Sequence, residues 1–267
     1  MTMPTTETVT STDGTTITVD SYGSGPAVVL VGGGPTNRYS NMGLDGLLGE
    51  QLSVFNYDRR GRGDSGDTLP YSVDREFDDL AAVLGLAGGN AAVYGTSGGA
   101  IWALEAAARG LEITRLVLWE PPYILDDETT RTRPTGYVEQ LAKLVDDGRP
   151  GDAVELFFTQ AVGMPAELVA PMRDAPFWPE MEATATGLTY DAALIGEFTL
   201  PPHRFSAITV PPLVIDGGTT PWMTHTADAL ATAVPTAQRH TLTGQPHNVA
   251  DDVMAPVVID FVLAGAS

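Results

Sequence analysis

Val93-Tyr94-Gly95-Thr96-Ser97-Gly98-Gly99-Ala100 decides how the rest of the chain is read. An apolar run, Ala91 to Tyr94, leads in, and a helix-forming run, Ala100 to Ala108, leads out. Between them lies Gly-x-Ser-x-Gly. A strand that turns this abruptly into a helix holds its central residue in a strained conformation, and the flanking positions must be small for the backbone to pass. The Ser97 hydroxyl is then lifted above the sheet beside the first turn of a helix. Orphan backbone N–H groups there favour developing negative charge. Ser97 is therefore the candidate nucleophile; a plain glycine-rich strand–helix turn is the bland alternative.

Outward from this turn the pattern repeats. Ala27 to Val31 is a continuous apolar run, as expected of a strand buried on both faces, and it ends in Gly32-Gly33-Gly34-Pro35-Thr36. Leu52 to Tyr57 is the next strand, followed by the tight charged loop Asp58-Arg59-Arg60-Gly61-Arg62-Gly63-Asp64-Ser65-Gly66. Arg75 to Leu84 reads as a helix with Phe77, Leu80 and Leu84 on one side. Ile113 to Trp119 is a strand closed by Glu120-Pro121-Pro122. Ahead of these, Glu7–Ser11 and Thr15–Val19 alternate around Asp13-Gly14 as a β-hairpin. The order predicts a mostly parallel sheet covered on both faces.

From about Tyr123 to Ser206 the alternation stops. Helical runs such as Tyr137–Val145, Asp152–Val162 and Ala166–Arg173 follow one another, and the stretch reads as a helical insert. Strands resume at Pro212–Asp216 and Arg239–Leu242, with helices near Thr224–Ala233 and Val253–Leu263. Residues 1–122 and 207–267 are thus the expected core domain, with 123–206 as a helical cap.

Composition narrows the function classes. The 267 residues suit one large domain, and 43% apolar residues suffice for a full core. A formal net charge of −20 repels nucleic acid and anionic membranes, so neither is an expected partner. No apolar stretch approaches the roughly 20 residues of a membrane span. Met1 to Glu7 has neither a basic start nor an apolar run, so no signal peptide is expected. There are no cysteines, which excludes disulfides and thiolate metal sites and makes a cytoplasmic location the default. No cofactor and no metal are expected. Schiff-base chemistry would rest on Lys143, the one lysine, in a helix-like run.

These pieces together resemble the α/β-hydrolase fold from end to end. The residues that carry the likeness are Gly32-Gly33-Gly34-Pro35, the Asp58-x-Arg60-Gly61-x-Gly63-x-Ser65 loop, the elbow Gly95-Thr96-Ser97-Gly98-Gly99, and His247 near the C-terminus. The resemblance implies an eight-stranded sheet with helices on both faces and the family's chain order of serine before histidine. Ser97 needs a base within reach. His247, in Gly244-Gln245-Pro246-His247-Asn248, follows the last strand, whereas His240 lies within it and His203 and His225 have less suitable settings. The implied oxyanion hole uses the backbone N–H groups of Gly98 and Gly34.

The family's usual aspartate after the seventh strand is missing, because Thr219 and Thr220 occupy that place. Glu120 at the end of the sixth strand is the favoured replacement; Asp216, or no acid at all, are the alternatives. Adjacent strands are about 4.8 Å apart, so an acid on strand six is displaced by one strand. A glutamate there is also the arrangement of the small lactonases that open zearalenone. The chain resembles that group in length and in Pro176-Phe177-Trp178, which implies that Trp178 packs on substrate. Trp178 in the insert's own core is the alternative. The expected function is hydrolysis of an apolar, uncharged small-molecule ester or lactone. C–C bond hydrolysis and non-catalytic ligand binding on the same fold stay open.

Overall fold

The structure, a computed structural model, describes residues 3–125, 134–196, 198–206 and 208–265. Residues 126–133 and 197 of the expected insert, and residue 207 at its boundary, lie outside the described residues.

One sheet of eight strands runs through the molecule, in the order β1-β2-β4-β3-β5-β6-β7-β8. The strands are β1 (Thr5–Thr10), β2 (Thr16–Tyr22), β3 (Ala27–Val31), β4 (Ser53–Tyr57), β5 (Ala91–Thr96), β6 (Ile113–Trp119), β7 (Pro212–Gly218) and β8 (Gln238–Gln245). The β1–β2 hairpin and the β2–β4 pair are antiparallel, and all other pairs are parallel. The helices are α1 (Met42–Leu48), α2 (Val73–Leu86), α3 (Gly98–Ala108), α4 (Tyr137–Asp146), α5 (Pro150–Leu156), α6 (Ala166–Val169), α7 (Trp178–Ala183), α8 (Ala185–Ile195), α9 (Pro202–Phe205), α10 (Pro221–Ala233) and α11 (Asp251–Leu263).

Side chains alternate across a strand, and this period divides the apolar runs between two cores. Val29, Val31, Val93, Leu116, Leu118 and Val214 face α2, α3 and α10, where Phe77, Leu80, Ile101, Leu104 and Leu230 meet them. Val28, Leu30, Ala92, Tyr94, Val117 and Ile215 face α1 and α11, meeting Leu44, Leu48, Met254 and Val258. A third cluster lies between the helices that separate β6 from β7; Leu141, Val154, Val169, Trp178 and Leu188 are at its centre.

Two helical readings are refined. The run Asp152–Val162 divides into α5 and a π-helical turn, Phe157–Val162. The run Ala166–Arg173 leaves the α form after Val169 and closes as a 3-10 turn, Ala170–Asp174. Helix α1 carries no sequence signal because Gly43 and Gly46 dilute its pattern, and its stability comes from packing on α11.

Candidate active site

Ser97 sits between β5 and α3 with φ 55° and ψ −125°, a region that non-glycine residues avoid at a cost of about 1–3 kcal/mol. The surroundings enforce it. A Cβ on Gly95 would lie 2.5 Å from the Gly99 carbonyl, and one on Gly99 would lie 2.0 Å from the Val31 carbonyl. No other residue fits at either position, so β5 meets the helix at close quarters.

Glu120 has the same kind of strain, with φ 43°, where β6 ends. The sheet ladder puts the two residues side by side. Ser97 N–H donates to the Trp119 carbonyl at 2.9 Å, and Glu120 N–H donates to Ile215 at 3.0 Å. The Glu120 side chain is fully buried. Its Oε1 accepts the Gly217 N–H at 3.0 Å, and its Oε2 lies 2.6 Å from His247 Nδ1. The loop that carries His247 is anchored from below, since Trp119 Nε1–H donates to the His247 carbonyl at 2.8 Å. A carboxylate at Nδ1 makes Nδ1–H the donor of a neutral ring and leaves the Nε2 lone pair on the opposite edge. Ser97 and His247 both line the cavities described below.

Asp216 is turned elsewhere. Its carboxylate accepts from the Thr224 hydroxyl, from Thr241 at 2.8 Å and from Gly218 N–H at 3.0 Å, and it pairs with Arg239 at 2.7 Å. Burial raises the Asp216 carboxyl, but the Thr224, Thr241 and Arg239 hydrogen bonds outweigh it and hold the group below the usual carboxylate range.

The turn after β3 has a partner that sequence reasoning did not find. Gly34 N–H, expected in the oxyanion hole, donates to Asp191 Oδ2 at 3.2 Å. Asp191 comes from α8 and is buried. Oδ1 accepts from Arg59 at 2.7 Å and Trp102 Nε1–H at 2.8 Å, and Oδ2 also accepts from Arg62 at 2.9 Å. Arg59 forms a bidentate pair with Glu76 at 2.7 and 2.8 Å and reaches the Gly32 carbonyl at 3.3 Å. Two cations and two anions thus close a buried, neutral cluster beneath the turn. Burial raises the Asp191 carboxyl, but the Arg59 and Arg62 charges prevail and hold it low. Arg62 packs so tightly on α8 that a methyl at Gly187 would lie 2.3 Å from its Nε. The signals in the sequence were an arginine-dense loop and a lone acid in the apolar run Leu188 to Ile195.

Among the described residues, two cavities reach Ser97. The smaller, about 150 Å³, is lined by Gly98, Glu120, Tyr137, Asp191, Ile195 and Phe198 among others. The larger, about 610 Å³, is lined by Phe158, Met164, Met172, Phe177 and Met181 and by polar groups near Asn248. Trp178, expected against substrate, lines neither. It is 2% exposed, its Nε1–H donates to Glu182 at 2.9 Å, and its ring packs 6.2 Å from Phe158 inside the helical core. The exposed, cavity-lining aromatic of that stretch is its neighbour Phe177.

The model of the Alpha/beta hydrolase family matches residues 28–260. The chain belongs to the alpha/beta hydrolase family. No curated protein matches it. Among solved structures it is similar to an alpha/beta hydrolase from Sphaerobacter thermophilus DSM 20745, with 50% identity over 96% of this chain and 99% of that one, at a TM-score of 0.90. It shares its fold with a thermophilic esterase from Thermogutta terrifontis (20% identity, 98% and 100% covered, TM-score 0.75). It shares it also with an enol-lactonase from Burkholderia xenovorans LB400 (22% identity, 96% and 100% covered, TM-score 0.70). Among the described residues of this alpha/beta hydrolase, no helix is long and apolar enough to cross a membrane.

Proposed function

We propose that the chain is a serine hydrolase that cleaves a carboxylic ester or lactone of an apolar small molecule, using Ser97, His247 and Glu120 and no cofactor. The observation that carries this reading is the 2.6 Å contact between Glu120 Oε2 and His247 Nδ1, in a cavity that Ser97 also lines. Residues 123–206 act as the cap over a core of residues 1–122 and 207–267.

In this reading His247 Nε2 takes the Ser97 Oγ proton as Oγ adds to the substrate carbonyl carbon. Glu120 steadies the imidazolium that forms. The carbonyl oxygen becomes an anion beside the Gly98 N–H at the start of α3. Gly34 is the second donor, which requires its long bond to Asp191 to be shared or exchanged. Collapse breaks the C–O bond, and the departing oxygen takes the proton from His247. Water, deprotonated by His247, then adds to the acyl-serine; collapse frees the acid and returns the proton to Ser97. With a lactone both products are one molecule. Glu120 stands where the zearalenone-type lactonases carry their acid, but the burial of Trp178 speaks against copying their substrate or its contacts.

A fluorophosphonate probe tests the proposal. Native protein should be labelled at Ser97, and Ser97→Ala should lose the label while keeping the native circular dichroism. Folded native protein that stays unlabelled would favour a ligand-binding homologue. A labelled protein that cleaves vinylogous diketones but no ester or lactone would move the reading to C–C bond hydrolysis.

A further inference from the structure

The two cavities that meet at Ser97 differ in size and in lining, and that difference bears on the substrate. They share Gly34, Ser97, Phe157, Val162 and His247. Phe157 and Val162 are the two ends of the π-helical turn. A π turn offsets the helix by an extra residue, and such bulges are frequent at functional sites. Here both ends of the turn border the junction. The Phe157 ring tip stands over the turn after β3, since a methyl at Gly34 would lie 2.9 Å from its Cζ. Phe158 braces the ring edge-on, with centroids 5.4 Å apart. Phe157 is therefore a partition beside the nucleophile.

The smaller chamber, about 150 Å³, has apolar walls from Pro122, Ile195, Phe198 and Met223. An apolar cavity of roughly this size accepts one benzene ring. Its charged members are already committed: Glu120 to His247, and Asp191 to Arg59 and Arg62. Among the described residues that line it, none offers a counter-charge to an ionised arm. The larger chamber, about 610 Å³, has methionine walls at Met164, Met172 and Met181. Methionine is unbranched and adapts to irregular shapes. That chamber is also lined by Ser40, Asn41, Asn248 and Asp251, which are hydrogen-bonding groups.

Resting on the hydrolase reading, we propose that the substrate is an unsymmetrical, acyclic ester. One arm is uncharged and no larger than a single aromatic ring. The other is bulkier, mainly apolar, and carries a hydroxyl or similar hydrogen-bonding group. The scissile carbon sits at the junction, so the two arms diverge on either side of Phe157. A macrolactone joins its arms and would leave the smaller chamber empty.

The test compares kcat/KM for octyl benzoate and phenyl octanoate with that for octyl 1-naphthoate and for a fourteen-membered lactone. At least one of the first two should exceed the naphthoate about tenfold or more, in line with what apolar pockets achieve between homologous groups. Phe157→Ala should reduce that preference to under about threefold by opening the partition. Ile195→Phe, which narrows the smaller chamber from the wall beside Gly98, should cut kcat/KM for the preferred one of the first two esters about tenfold more than for its analogue with a methyl group in place of the phenyl ring. Equal turnover of the naphthoate, or a lactone cleaved faster than every acyclic ester, would overturn the proposal. Fluorophosphonate labelling of Ser97 in the native protein separates the two levels: no label sinks the hydrolase reading, whereas a label without size discrimination sinks this one alone.

Discussion

Glu120→Gln is expected to lower kcat by about 10⁴-fold, the scale seen when a triad acid is replaced by its amide. The reason lies in the two bonds of the carboxylate. Oε1 accepts the Gly217 N–H and Oε2 faces His247 Nδ1. A glutamine has one oxygen, and the fixed backbone donor at Gly217 claims it. The amide NH₂ then faces Nδ1, which must turn acceptor. The ring's proton moves to Nε2, where a base is required, and the Ser97 proton has nowhere to go. Glutamine has the shape of glutamate and leaves the cavity wall unchanged, so KM should change far less than kcat. The control is Asp216→Asn, whose partners are Thr224, Thr241 and Arg239; it should retain kcat within a few-fold and lose some stability. Steady-state kinetics on an activated ester, with thermal melts of both variants, decide the matter. A Glu120→Gln enzyme that keeps its kcat, or a collapse of kcat in Asp216→Asn, would remove Glu120 from the mechanism.

Legibility followed the range of the interactions. Alternation and apolar runs are local, and they located all eight strands, β3 and β6 to the residue. The elbow was readable because steric demand puts glycine at fixed offsets from Ser97. The pairing of Glu120 with His247 spans 127 residues, and it was approachable through the neighbour relation of β6 and the serine strand together with the family resemblance. What stayed hidden depends on contacts with no local pattern. Asp191 reaches Gly34 across 157 residues, and nothing about either residue alone suggests the bond. Trp178 was readable in two ways, against substrate or in the insert's own core. The short motif did not decide between them; an indole that finds an acceptor at Glu182 can be buried among Phe158 and its neighbours, and here it is.

Asp191→Ala should destabilise the fold by about 3–5 kcal/mol, the usual cost of orphaning buried charge. Arg59 keeps Glu76 as partner, but Arg62 loses its carboxylate while remaining packed against Gly187. Asparagine is no remedy. Every group facing Asp191 is a donor: the two guanidinium groups, the Trp102 indole and the Gly34 N–H. An amide would set its own NH₂ against them, so Asp191→Asn should lose nearly as much in urea titrations. Acid response gives an independent readout. The folded-state pKa of Asp191 lies below its ordinary value of about 3.9, so its contribution is complete above that pH and is lost as pH falls through the folded-state value. Both variants should lack this part of the acid limb. The double substitution Arg62→Met with Asp191→Leu removes one cation with one anion and leaves the Arg59–Glu76 pair neutral. It should therefore be more stable than Asp191→Ala, because replacing a whole buried pair by apolar groups avoids the uncompensated charge. If the double variant is instead the least stable of the set, the cluster's worth lies in the shape of the Gly32–Gly34 turn and not in its charge balance.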